Sequence, residues 1–218
     1  MKPRHDALIF DADGTLVDSE APGLEVIRQL AVARGLALDS AEAQQRFRGL
    51  RMADVAAWIA SQLGEPPDAF TERFIPAVRQ AQAAHFQSAG LRAMPGAHAL
   101  LQRLRQPFCV ATNGPREKVS QTLALCGLDA LLGERVYCAY EVGSFKPEPG
   151  LFLHAARALG VAPAGCAVVE DSLPGIQAGL AAGMAVYALL PPDQAPPALH
   201  GRVQFIDSLV QLDRLLHG

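Results

Sequence analysis

Five short apolar runs punctuate the chain: residues 7–10 (ALIF), 108–112 (FCVAT), 136–139 (VYCA), 166–170 (CAVVE) and 185–190 (AVYALL). Gly, Pro, Asn or Asp stand within two residues of both ends of four of them, and 136–139 lies between Gly133 and Gly143. Runs this short, apolar on both faces, suit strands of a parallel sheet buried between helices. Helical patterns lie between them. In 115–126, Val119, Leu123 and Cys126 share a face, Pro115 stands where a first helical residue would, and Gly127 follows as a stop. In 149–159, Phe152, Ala155, Ala156 and Leu159 share a face between Pro149 and Gly160. In 173–182, Ile176 and Leu180 stand four apart, and Gly183 ends the pattern. This alternation predicts a doubly wound α/β domain.

Residues 20–90 carry a different pattern, with no strand. Helical faces run through Ile27, Leu30 and Ala31, then Val55, Trp58 and Ile59, then Phe70, Phe74 and Val78. Asp39 with Glu42 reads as a capping pair. Gly35, Gly49 and Gly64 supply stops, and Pro66-Pro67 reads as a hinge or loop. The expected organisation is a Rossmann-like core of 1–18 and 92–218, interrupted by an α-helical cap domain of 19–91. The linkers fall near 16–21 and 88–95. The Pro-rich PPDQAPP at 191–197 reads as a surface loop.

Composition narrows the function classes. The chain has 218 residues, half of them apolar, enough for a sizeable core without staples. A net charge of -3 and a pI near 6.1 give no basic footprint for nucleic acid. No apolar run is long enough to span a bilayer. Asp6, Asp11 and Asp13 interrupt the place where a signal peptide needs an apolar stretch. The four cysteines are widely spaced, without a CxxC pair, and three lie in apolar runs. Together these features predict a reduced, cytoplasmic protein.

The chemistry concentrates at the ends of the apolar runs. Asp11 and Asp13 follow the first, in IFDADGTLVDSE, with Gly14-Thr15 next. Clustered carboxylates repel and are costly to desolvate; a divalent cation relieves both. Mg2+ uses one or two carboxylates with substrate phosphate and water. Thr112-Asn113-Gly114 ends the second run, Lys146-Pro147 follows the third, and Glu170-Asp171 ends the fourth. Singly these read as a turn pair, an N-cap, a solvated charge and a helix-start acid pair. In a doubly wound sheet all four converge on one crevice. Acids for a metal, a hydroxyl and amide for phosphate oxygens, a lysine and helix N-termini make a phosphoryl-transfer site. The six histidines are scattered without metal-ligand spacing, and the Gly175/Gly179/Gly183 series has the wrong spacing for a nucleotide loop.

On these four motifs the sequence resembles the haloacid dehalogenase superfamily of phosphohydrolases, over nearly its whole length. The insert resembles the helical cap of the branch that holds β-phosphoglucomutases and sugar-phosphate phosphatases. CVATNGPREK, FLHAARALGV and LHGRV also resemble bacterial 6-phosphogluconate phosphatases. The resemblance implies Mg2+-dependent hydrolysis of a small-molecule phosphate ester, a sugar or sugar-acid phosphate, through an aspartyl-phosphate. It implies Asp11 as nucleophile and Mg2+ ligand, and Asp13 as general acid and base whose backbone carbonyl binds Mg2+. Thr112, Asn113 and Lys146 hold phosphate, Asp171 binds Mg2+, and Glu170 does so directly or through water. Arg48-Gly49-Leu50-Arg51 matches the substrate-specificity loop, with Arg48 or Arg51 meeting a second anionic group. Cap closure is expected to exclude bulk water. The chain is expected to be a monomer or homodimer with no membrane or nucleic-acid partner.

Rival readings leave traces. β-Phosphoglucomutases carry a histidine where this chain has Gly23 and an arginine where it has Met52. Phosphonate-cleaving relatives need a cap lysine, and 19–91 contains none. An acid at Asp13 separates phosphatases from dehalogenases, whose halide leaves unprotonated. A signalling receiver would not need the inserted cap or the DxDGT unit, and a phosphate-binding protein that keeps this scaffold without turnover would not need every motif residue, all of which are present.

Overall fold

The structure, a computed structural model, describes residues 5–48 and 50–218. By its internal contacts the chain divides into two units. One runs to Asp18 and resumes over Arg92–Gly218; the other is Ser19–Leu91.

The first unit holds six strands: β1 (Ala7–Phe10), β2 (Phe108–Thr112), β3 (Val136–Cys138), β4 (Cys166–Glu170), β5 (Ala185–Ala188) and β6 (Gln204–Phe205). They form one sheet in the order β3-β2-β1-β4-β5-β6, parallel throughout. Every residue of β1, β2 and β4 is buried, which is why those runs lack the alternation of a half-exposed strand. The apolar runs locate β1 to β5, with β3 closing at Cys138 and β5 at Ala188. β6 was not expected: two residues, partly exposed, offer no apolar run.

In the second unit the helices are α1 (Glu20–Val32), α2 (Ser40–Phe47), α3 (Met52–Leu63) and α4 (Pro67–Ala89). Their buried faces include Ile27, Ala31, Phe47, Val55, Ile59, Phe70, Phe74 and Val78, a core of the unit's own. The Asp39 carboxylate accepts from Glu42 N at 2.8 Å, so the expected cap forms. Gly64 ends α3 at φ +69, a conformation that favours glycine. Pro66-Pro67 is not a free loop. Pro66 caps α4 and Pro67 is its first residue, where a missing N–H costs nothing.

The sheet unit adds α5 (Ala97–Arg103), α6 (Arg116–Leu125), α7 (Asp129–Leu132), α8 (Ala139–Val142), α9 (Gly150–Ala158), α10 (Leu173–Ala181) and α11 (Leu209–His217). Pro115 and Pro149 stand one position earlier than expected, as N-caps of α6 and α9. Phe152, Ala155 and Ala156 of α9 and Ile176 and Ala178 of α10 pack with Ile9, Ala111 and Val168. Where the chain leaves and re-enters this unit, Asp18 N donates to Arg92 O (2.9 Å) and Met94 N to Leu16 O (2.8 Å). The four cysteines are buried thiols without disulfides. Among the described residues no helix is long and apolar enough to cross a membrane.

Candidate active site

The register of the central strands decides what meets. Ile9 of β1 is level with Cys109 of β2 and Val168 of β4; Phe10 is level with Val110 and Val169. Just past those rows the chain turns polar: Asp11 follows β1, Thr112 closes β2, Glu170 closes β4, and Asp171 follows. All four are buried, between 0% and 8% exposed. This is the carboxyl edge of the sheet, where parallel α/β folds bind ligands.

Lys146, between α8 and α9, is 3% exposed. Its ammonium donates to Asp11 Oδ1 and, at 2.7 Å, to Glu170 Oε1. Its backbone is gripped by Asn113, whose Oδ1 accepts from Lys146 N (2.9 Å) and whose Nδ2 donates to Lys146 O (3.3 Å). The Asn113 side chain therefore brackets the lysine loop to the end of β2, rather than pointing a free amide at a ligand.

Glu170 is likewise occupied. Its Oε2 accepts from both the N and Oγ of Ser172 at 2.8 Å, while Oε1 takes Lys146. A Cβ on Gly175 would lie 1.8 Å from Oε1, so only glycine lets the first turn of α10 approach this carboxylate. With three donors on two oxygens, Glu170 braces Lys146 and α10. Its expected part as a direct metal ligand has little lone-pair capacity left.

The remaining groups are held as follows. Thr112 Oγ accepts from Gly114 N at 3.0 Å, which leaves its hydroxyl hydrogen to give. Asp171 Oδ1 accepts from Thr15 Oγ at 2.9 Å, and a Cβ on Gly14 would lie 2.2 Å from Asp171 Oδ2. Gly14, at φ +83, thus lets the turn after β1 press against the end of β4. Asp13 Oδ2 accepts from Lys118 Nζ at 2.7 Å.

Two buried acids, Asp11 and Glu170, share one buried ammonium, with Asp171 buried next to Glu170 in sequence. Burial pushes the Asp11 carboxyl up to about 7; Lys146 opposes that, and the Glu170 and Asp13 charges add to it. Burial also disfavours charge on Lys146, but Asp11 and Glu170 outweigh it and keep the lysine protonated. This excess of negative charge suits a divalent cation. Among the described residues no group of three His, Cys, Asp or Glu side chains has metal-holding spacing. Mg2+ does not require one: the Asp11 and Asp171 carboxylates with a backbone carbonyl give an all-oxygen set, and substrate and water complete it. The residues therefore fit Mg2+.

The expected cap residues are engaged inside their own unit. Arg48 Nε pairs with Glu20 at 2.8 Å. Arg51 pairs bidentately with Asp54 at 2.8 and 3.0 Å. Gly49 lies outside the described residues. The motifs name Thr15 only as the neighbour of Gly14 and give Lys118 and Ser172 no part. Ser172 announces itself as the N-cap of α10, accepting from Gly175 N. Lys118 stands six positions past Thr112, within the first turns of α6, a spacing that aims it back at the sheet edge.

The profile of the haloacid dehalogenase-like hydrolases matches residues 5–183. The chain belongs to that family. A 6-phosphogluconate phosphatase of Escherichia coli K12 is 31% identical over 97% of this chain and 95% of its own length. A hexitol phosphatase A of the same organism is 32% identical over 88% and 87%. A crystal structure of a HAD family hydrolase from Deinococcus radiodurans R1, with bound phosphate and sodium, superposes with a TM-score of 0.76 at 35% identity, covering 98% of both chains. The six-stranded parallel sheet is thus the Rossmann-like core of a HAD-like hydrolase.

Proposed function

We propose that this phosphoric monoester hydrolase removes phosphate from a small phosphorylated sugar or sugar acid, of the 6-phosphogluconate kind, through an aspartyl-phosphate on Asp11. The observation that carries the reading is the buried Lys146 ammonium on Asp11, with Thr112 and Asp171 at the neighbouring strand ends. The phosphate in the Deinococcus structure and the names of the two E. coli relatives support it.

The geometry is compatible with the division of labour that the family resemblance implies. The Asp11 carboxylate attacks phosphorus in line, dividing one hard displacement into two easier ones. Lys146 and the Thr112 hydroxyl hold phosphoryl oxygens, and Asn113 and Glu170 keep Lys146 in place for that task. Asp13 gives a proton to the departing ester oxygen and takes one from the water that opens the acyl phosphate; help of this kind is worth about 10²–10⁴ in rate. Asp11, Asp171 and the Asp13 carbonyl would hold Mg2+, with Glu170 behind them. When bound, Mg2+ offsets the repulsion between a carboxylate and a phosphate dianion.

In the helical unit, Arg48 and Arg51 are the candidates for reading a second anionic group. Such a group must displace Glu20 or Asp54 to reach them. A phosphosugar mutase is disfavoured at Gly23, whose carbonyl accepts from Gln82 Nε2 at 3.0 Å and where a Cβ would stand 3.1 Å from that nitrogen. A histidine there would have to dislodge Gln82.

The test is a screen of phosphorylated metabolites, including 6-phosphogluconate, phosphoglycolate and hexose phosphates, with Mg2+ and with a chelator. Hydrolysis that depends on Mg2+ and disappears in Asp11→Asn, with circular dichroism unchanged, is the expected outcome. Near-normal turnover in that variant would remove Asp11 from the nucleophile role.

A further inference from the structure

Lys118 is an odd residue for its position. The chain carries sixteen arginines and three lysines. Two of the three, Lys118 and Lys146, donate to the aspartates that follow β1. Lys118 also sits, with Arg116, at the start of α6, where the helix dipole disfavours cations. Arg116 is accounted for by Glu141, which takes it at 2.9 and 2.5 Å and ties the first turn of α6 to α8. Lys118 is accounted for by Asp13.

That pair is partly open to water, with 29% and 26% of the two side chains exposed, so it adds little to stability. What it supplies is geometry. Asp13 stands in the turn beyond β1, and the Lys118 contact narrows the rotamers open to its carboxylate. Lys118 reaches it from a helix anchored by buried Val119, Thr122 and Leu123.

We propose that Lys118 is a positioning residue that holds Asp13 Oδ2 and so commits Oδ1 to the proton transfers of the reaction. The inference deepens the phosphatase reading and rests on it. An ammonium can donate to Oδ2 in either state of Asp13, because the carbonyl oxygen of the protonated acid still accepts. Oδ1 releases its proton to the ester oxygen as the P–O bond breaks and that oxygen keeps the electron pair. Oδ1 then recovers a proton from the water that hydrolyses the acyl phosphate.

Leaving-group dependence reads this role. p-Nitrophenyl phosphate departs without a proton; an alkyl phosphate needs one. With the alkyl phosphate that ranks first in the metabolite screen, Lys118→Met is expected to lower kcat/KM about 30-fold, within the range for acid–base help and misplacement. On p-nitrophenyl phosphate kcat/KM, which reports only the steps up to departure of the leaving group, stays within about threefold, and Lys118→Arg recovers most of the loss on the alkyl ester. In an Asp13→Asn background, Lys118→Met has no further effect on the alkyl ester, since residues acting as one unit are not additive. Equal losses on the two esters, a further loss in the Asp13→Asn background, or no loss at all would overturn the proposal. A wild-type chain inert on every ester would overturn the phosphatase reading itself, a result distinct from an active enzyme indifferent to Lys118.

Discussion

Asp11→Asn is expected to make the protein more stable as it makes it inactive. Asp11 is 8% exposed and shares the Lys146 ammonium with Glu170. Its carboxyl is displaced from 3.8 to about 7, first by burial. At about 1.36 kcal/mol per unit, the ionised form costs the fold up to about 4 kcal/mol. The sign follows from linkage: an acid bound to its proton more tightly when folded loses stability as pH rises from 3.8 to about 7. Asparagine keeps an oxygen for Lys146 and carries no charge. The gain should therefore be largest at pH 8, about 4 kcal/mol, and fall below about 2 kcal/mol at pH 5. The one tryptophan, Trp58, lies in α3, so its fluorescence watches the helical unit. Native-state amide exchange of β1 and β4, corrected for intrinsic rates and run with a chelator, watches the sheet. Mg2+ should then narrow the gap by binding the folded wild type. A variant that opens as readily as wild type at pH 8, or a gap that does not shrink at pH 5, would refute the electrostatic account.

Two further substitutions test the frame around the site. Gly175→Ala places a Cβ 1.8 Å from Glu170 Oε1, which forces that carboxylate off Ser172 and Lys146. A loss of about 3 kcal/mol or more in β4 exchange and of activity is expected. Gly64→Ala, strained at φ +69 but with nothing within 4 Å, serves as the comparison and should cost about 1 kcal/mol. Arg48→Ala and Arg51→Ala break pairs too exposed to matter to stability. Steady-state kinetics should show KM rising about tenfold for a phosphorylated sugar acid in at least one, at constant Tm; unchanged KM in both would remove the pair from substrate choice.

The fold was legible where burial is two-sided. ALIF, FCVAT and CAVVE are apolar because both faces of β1, β2 and β4 are covered, and the glycines at 127, 160 and 183 mark helix ends because each adopts a positive φ. What escaped was short or ambiguous. Gln204–Phe205 is held to β5 by backbone bonds that leave no mark on side chains. Pro66-Pro67 can equally end a loop or begin a helix. In the site, motif spacing located the acids and Lys146 but not their internal connections. That Glu170 and Asn113 hold Lys146 depends on pairings 24 and 33 residues apart, and Lys118 meets Asp13 across 105. No local pattern encodes such distances.

The alignment of β1 with β4 has a consequence for how this chemistry can vary. Because a parallel ladder locks Phe10 opposite Val169, the acids that follow those residues cannot slide past one another without turning every neighbouring side chain to the wrong face. The spacing of charge at the reaction centre is therefore a fixed property of the backbone. New specificities have to be written into the parts that hang from the strands, not into the strands themselves.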